Sequence, residues 1–215
     1  MSTNAVDLLT GGFQGRLRRS ISLAWHIFRE KTGTGLLSIN KEASMQLRYA
    51  YVLQQVIPLI CFDRGETVKV ELESGVKIDG RSREIDLVLE GTGSHDSSKI
   101  AVEMKCYRKR ASSGKPRGAE DIFMRDAYAD LELLENYCQH AGYNRGVLPV
   151  MTDHEYFVNP KVKRGKCWDF DISHGAEVEN ATLGGKPNIA IHLGKSYEFS
   201  WVQRGSFWFM EIEGR

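Results

Sequence analysis

Two acids and a lysine stand close together on neighbouring extended runs of this chain. Asp86 lies in the run Arg83-Glu-Ile-Asp-Leu-Val-Leu-Glu90, and Glu103 and Lys105 bracket Met104 in the run Lys99-Ile-Ala-Val-Glu-Met-Lys-Cys-Tyr107. Cleaving a phosphodiester calls for a hard divalent cation to neutralise charge on the phosphoryl oxygens and to activate water. Mg²⁺ is held for such work by one or two carboxylates together with water and substrate oxygens. Asp86 and Glu103 can supply those carboxylates. Lys105, on the same face of an extended strand as Glu103, sets an ammonium where an attacking water and a scissile phosphate would meet. The acid-x-Lys tripeptide occurs once in the chain.

The elements that must position these residues follow from periodicity. Val68, Val70 and Leu72 alternate with Lys69 and Glu71. With Ser74-Gly75 as a turn, residues 83–90 form a second strand and 99–107 a third, together an antiparallel meander. In the third strand Ile100, Val102 and Met104 share one face, and Ala101, Glu103 and Lys105 the other. Ahead of the meander, Leu17, Ile21, Ala24 and Phe28 mark an amphipathic helix with arginines at the start of its polar side. A second helix runs from an Asn40 N-cap toward Pro58, with Met45, Tyr49, Val52, Val56 and Ile60 inward. Glu42 stands one turn before Met45 on that inward face, an unusual place for a charge. It reads equally as a helix N-terminal acid near the dipole.

After the meander a helix is expected from about Ala119 to Ala141. Phe123, Ala127, Leu131, Leu134 and Cys138 form its buried face, and Glu120 and Asp121 complement its positive end. It leads to a strand at 147–151 that lies parallel to the third. The last third is β-rich, with a strand at 188–193 and a hairpin of 197–202 with 207–212 about Gln203–Ser206. Phe199, Trp201, Phe207 and Phe209 read as core or dimer interface. Asp169 and Asp171 read as surface residues.

With these residues in these elements, the chain resembles the restriction-endonuclease-like, or PD-(D/E)xK, nuclease superfamily over roughly residues 40–152. That family carries an Asp on one strand of a meander and a (D/E)-x-K tripeptide on the next. Ile85 stands where the motif name has Pro, and Glu84 or Glu90 can compete for the Asp86 role. The resemblance implies an α/β fold with a mixed central β-sheet flanked by helices, a metal contact from the Met104 carbonyl, and a metal role for an inward acid such as Glu42.

Two basic segments suit phosphate-backbone contact: Arg108, Lys109, Arg110, Lys115 and Arg117 in one loop, and Lys161, Lys163, Arg164 and Lys166 in another. Lys plus Arg number 29 against 28 acids, so the formal charge is +1 and affinity for a polyanion must come from position. All four Gly-Lys pairs lack a P-loop glycine and no dinucleotide fingerprint occurs, so no nucleotide cofactor is indicated. The six histidines form no metal pair, and the four cysteines lack disulfide or zinc spacing, which fits reduced thiols in a cytoplasm. No window approaches a membrane span or a signal peptide.

The expectation is therefore a single domain: an N-terminal helical extension over 1–36, a nuclease core over 37–153, and a β-rich C-terminal addition over 154–215. It would be a DNA endonuclease using Mg²⁺, with Mn²⁺ as a substitute, restriction-enzyme-like or related to defence and recombination nucleases. A homodimer would bring two sites to a duplex. The alternative is a catalytically silent nucleic-acid-binding or assembly subunit on the same fold.

Overall fold

The structure is a computed structural model that describes residues 10–111, 113–117, 120–184 and 190–214. The expected helix start at Ala119, the side chains of Glu120 and Asp121, and the first two residues of the expected strand at 188–193 lie outside the described residues.

The chain is an α/β protein in which helices cover both faces of one mixed sheet. Helix α1 spans Phe13–Gly33 and α2 Glu42–Val56. Strands β1 (Thr67–Ile78), β2 (Arg81–Thr92), β3 (Ser97–Val102) and β4 (Lys105–Tyr107) follow. Helix α3 (Glu120–His140) then crosses to β5 (Arg145–Thr152). The sheet order is β1-β2-β3-β5, continued by β11 (Phe207–Ile212) and β10 (Val202–Arg204), with β4 also paired to β5. β3 and β4 run parallel to β5, and the other pairs in this sheet are antiparallel. The C-terminal strands therefore extend the central sheet instead of forming a separate layer. Between β5 and β10, β6 (Ala176–Glu179) pairs with β9 (Ser196–Phe199), and β7 (Thr182–Leu183) with β8 (Ile191–His192).

Alternation along the strands feeds two cores. Ile100 and Val102, with Val147, Met151 and Phe209, pack under α1 and α2. Ala101, Leu148, Val150, Met210 and Ile212 pack under α3. Both faces are apolar because both are covered. Phe199, Trp201 and Phe209 are buried, in keeping with a core role. The arginines of α1 are not a solvated face: Arg18 spans Glu211 and Glu213, each at 2.7 Å, and ties α1 to the C-terminal strand.

Two expectations about the meander are corrected. Ser74-Gly75 is no turn, because β1 continues to Ile78 with Ser74 opposite Ile85 and Gly75 opposite Glu84. The turn is Asp79-Gly80, with φ values of 48° and 75° at its two central residues. A two-residue loop with both residues left-handed matches the twist of the flanking strands, which is why Asp-Gly takes it. The third strand is also divided. β3 stops at Val102, paired with Leu87, and β4 goes on paired with β5. The N-cap of α2 is Lys41 and not Asn40, since the Ser44 hydroxyl takes the backbone N–H groups of both. Among the described residues, no helix is long and apolar enough to cross a membrane.

Candidate active site

The sheet forks where the acids sit. Beyond Leu87 toward its start, β2 pairs only with β1, while the chain past Val102 pairs only with β5. β2 also turns over at this point: Ile85 packs in the α3 core and Leu87, two residues on, in the α1/α2 core. Opposite Asp86 the ladder skips Glu73, whose φ of 52° is left-handed. This local irregularity lets Asp86, Glu103 and Lys105 stand together, close enough for their charges to act on one another, with Glu103 opening onto a cavity.

Asp86 is fixed from two sides. Its carboxylate accepts the Met104 N–H at 2.7 Å, a donor freed because the strands have parted. Its carbonyl accepts the Gln46 side-chain amide of α2 at 2.6 Å. Glu84 and Glu90 are exposed. Strand alternation alone does not separate the three acids, which stand two and four residues apart; Asp86 differs from the other two in its half-buried setting and its Met104 bond.

Glu103 is 6% exposed and accepts the Tyr137 hydroxyl of α3 at 2.9 Å. The Asp86 carboxyl lies within hydrogen-bonding reach of Glu103, and that contact acts to lower the Asp86 pKa. Burial, then the Asp130 and Asp86 charges, push the pKa of Glu103 up to about 9. It therefore carries the proton shared between the two carboxyl groups at neutral pH. Burial likewise raises Asp86 above the usual carboxylate range.

Lys105 reaches across to α3, where its Nζ lies 2.9 Å from an Asp130 oxygen, and it stands 3.8 Å from Glu42. Burial opposes its charge, but Asp130 and Glu42 outweigh that and hold it ionised. Asp130 itself is pushed up to about 7, mainly by burial. Glu42 does point inward: its carboxylate accepts the Cys106 N–H at 3.0 Å, and burial raises its pKa. Glu42 and Gln46, one turn apart, thus bind β4 and β2 from the same helix. Met104 is buried on the α1/α2 side, between the two tripeptide residues that face α3.

Sequence reasoning passed over Asp130 and Tyr137. Both lie on the inward stripe of α3, three residues after Ala127 and three after Leu134. An acid on a buried stripe was the signal that singled out Glu42, and it applies to Asp130 equally. Glycine at 146 lets α3 settle on β5, since a Cβ there would stand 2.7 Å from the Leu134 Cβ.

A divalent cation fits this donor set in kind. Two carboxyl groups that share a proton offer the oxygen pair that Mg²⁺ takes along with water. Among the described residues, no three His, Cys, Asp or Glu side chains converge at ligand geometry. The pair needs no third.

The basic residues divide into two groups. Arg108 is engaged in the fold: it bonds Asp153 at 2.9 Å, bonds the Ile39 carbonyl, and lies over the Phe207 ring at 4.8 Å. Arg110 and Arg117 bond the carbonyls of Gly114 and Asn40, at 3.0 and 3.2 Å. Lys163 pairs with Asp171. Lys109, Lys115, Lys161, Arg164 and Lys166 are exposed, and no ion pair involves them among the described residues. A cavity of about 480 Å³ opens onto Glu103 and Asp130, walled on its far side by Ser82, Arg83 and Glu84. Comparison with known protein families, with curated proteins and with solved structures finds no match to this chain.

Proposed function

We propose that this protein is a divalent-metal-dependent endonuclease that hydrolyses DNA phosphodiester bonds, with a restriction-endonuclease-like core. One observation carries the reading: Asp86, Glu103 and Lys105, from two strands that part at this point, gather in one cluster with Glu42 and Asp130. Four carboxyl groups gather around a single lysine, from Glu103 at 6% exposed and the Asp130 side chain at 13% to the Glu42 side chain at 41%, and such a concentration is costly unless a cation meets it. A structural ion pair needs one acid, whereas this cluster holds several with raised pKa values.

Asp86 and Glu103 would hold the cation, with Glu42 beside them and the Met104 carbonyl as a further oxygen. When bound, the cation supplies charge neutralisation at the phosphoryl oxygens and a lowered pKa for the attacking water. The rest is done by the chain. The Met104 N–H aims the Asp86 carboxylate, and Tyr137 aims Glu103. Lys105, kept ionised by Asp130, offers an ammonium to charge developing on the phosphate. To serve as a ligand, Glu103 would have to release its proton to solvent.

Incubation of supercoiled plasmid with the protein and Mg²⁺ or Mn²⁺ tests this directly. Nicking is expected from the wild type and is lost in Asp86→Ala and Lys105→Ala. Equal nicking by all three would remove the site. Salt-sensitive DNA binding with no metal-dependent cleavage of any substrate would favour a silent binding or assembly subunit.

A further inference from the structure

We propose that the cut strand runs in the groove between α3 and the projecting β1–β2 hairpin, with Arg83 gripping the phosphate beside the scissile one. This rests on the nuclease reading above and adds the path of the substrate. The path is not the basic loops that the sequence brings forward.

Two cavities lie end to end along this groove. The first, about 480 Å³, has Glu103 and Asp130 in its wall. The second, about 390 Å³, runs on to Ile78 and Asp79 at the hairpin tip. Arg83 and Leu133 border both. The groove exists because β2 over residues 81–86 pairs with β1 alone, so the hairpin forms a wall facing α3. A cleft of this size beside reactive groups suits a bound ligand segment.

Arg83 lines the same cavity as Glu103 and Asp130. It is exposed, and among the described residues the side chain of neither Arg83 nor Arg81 forms a hydrogen bond or ion pair. Its charge still acts on Tyr137, the residue that donates to Glu103. Arg81 stands two residues away, about 7 Å along the strand, the scale of one step of a nucleic-acid backbone. Arg108, Arg110, Arg117 and Lys163, by contrast, have partners within the fold.

The groove also carries acids. Glu132 is engaged with the His192 N–H at 2.8 Å, while Asp79 and Glu84 are exposed. Net attraction for a polyanion therefore depends on a divalent cation at the Glu103 end, with the two arginines holding the strand beyond it. Arginine suits that task because its planar fork meets phosphate with two bonds.

The experiment is a fluorescence anisotropy titration of a labelled DNA duplex with the full chain. Ca²⁺, another oxygen-seeking divalent ion, replaces Mg²⁺, and several salt concentrations are used. Arg83→Ala is expected to weaken binding about tenfold and to lower the slope of log affinity against log salt by about 1. Arg83→Lys should keep that slope, and Lys161→Ala should change affinity less than Arg83→Ala. Thermal melting confirms that each variant is folded. Wild-type binding with Arg83→Ala indistinguishable from it, or a larger loss in Lys161→Ala, would overturn the groove and leave the nuclease reading standing. A wild type that binds no DNA would overturn both.

Discussion

Glu103→Gln should make the metal-free protein more stable while destroying its activity. Glutamine keeps the shape of the side chain, accepts the Tyr137 hydroxyl and donates to Asp86, so the main change is loss of an ionisable proton. In an open chain Glu103 releases that proton near 4.5, and in the fold at about 9. Because the folded value is the higher one, stability is full below about 4.5 and is lost as pH rises toward about 9. By pH 7 the loss amounts to about 3 kcal/mol for this 6%-exposed group. For a chain of this size that corresponds to roughly 6–12 °C in melting temperature. Thermal unfolding followed by circular dichroism in EDTA, over a pH series, is the assay. The two proteins should melt together near the acid end, and the variant should melt increasingly above the wild type toward pH 8. Parallel curves across that range would refute the claim that Glu103 is held protonated beside Asp86.

Three further outcomes follow from the same contacts. Asp130→Asn frees Lys105 from its buried partner and should lower kcat at least tenfold with KM little changed, measured as steady-state plasmid nicking. Gly146→Ala drives a methyl group against the Leu134 side chain and should cost about 1–3 kcal/mol, read from the urea midpoint. Arg18→Ala removes two charge-assisted bonds at the α1–β11 junction, leaving Glu213 with Arg145 and Glu211 with Ser22, and should cost about 1.5–3 kcal/mol in the same measurement.

Much of this arrangement is legible in the sequence because it depends on period. Alternation at 99–107 puts Glu103 and Lys105 on one face, and the four-three-four steps of α1 and α2 mark the sides they bury. Glu42 shows as an acid on an apolar stripe, and its carboxylate indeed reaches β4. Tertiary detail is less visible. No local pattern says that β2 and β3 part company at Leu87 and Val102, yet that separation frees the Met104 N–H for Asp86. The Asp79-Gly80 turn carries a strong local signal, but Ser74-Gly75 offers a competing one. Only the continued pairing of Val76 with Arg83 and Lys77 with Ser82 decides between them. The basic loops show the same limit: charge in sequence does not reveal that Arg108 is turned onto Asp153 and Phe207 while Lys109 and Lys115 of the same loop stay exposed. Asp130 shows only as an acid on the inward stripe of α3, and its pairing with Lys105 is a tertiary contact that no local pattern gives.

The central claim is that Asp86 and Glu103 form a divalent-cation site, and calorimetric titration of Mn²⁺ into the metal-free protein at pH 7 tests it most directly. Measured in buffers of differing ionisation enthalpy, the titration also counts protons. The expected result is saturable binding with release of about one proton, that of Glu103, and loss of binding in Asp86→Ala. Absence of binding by the wild type, or undiminished binding by Asp86→Ala, would contradict the account.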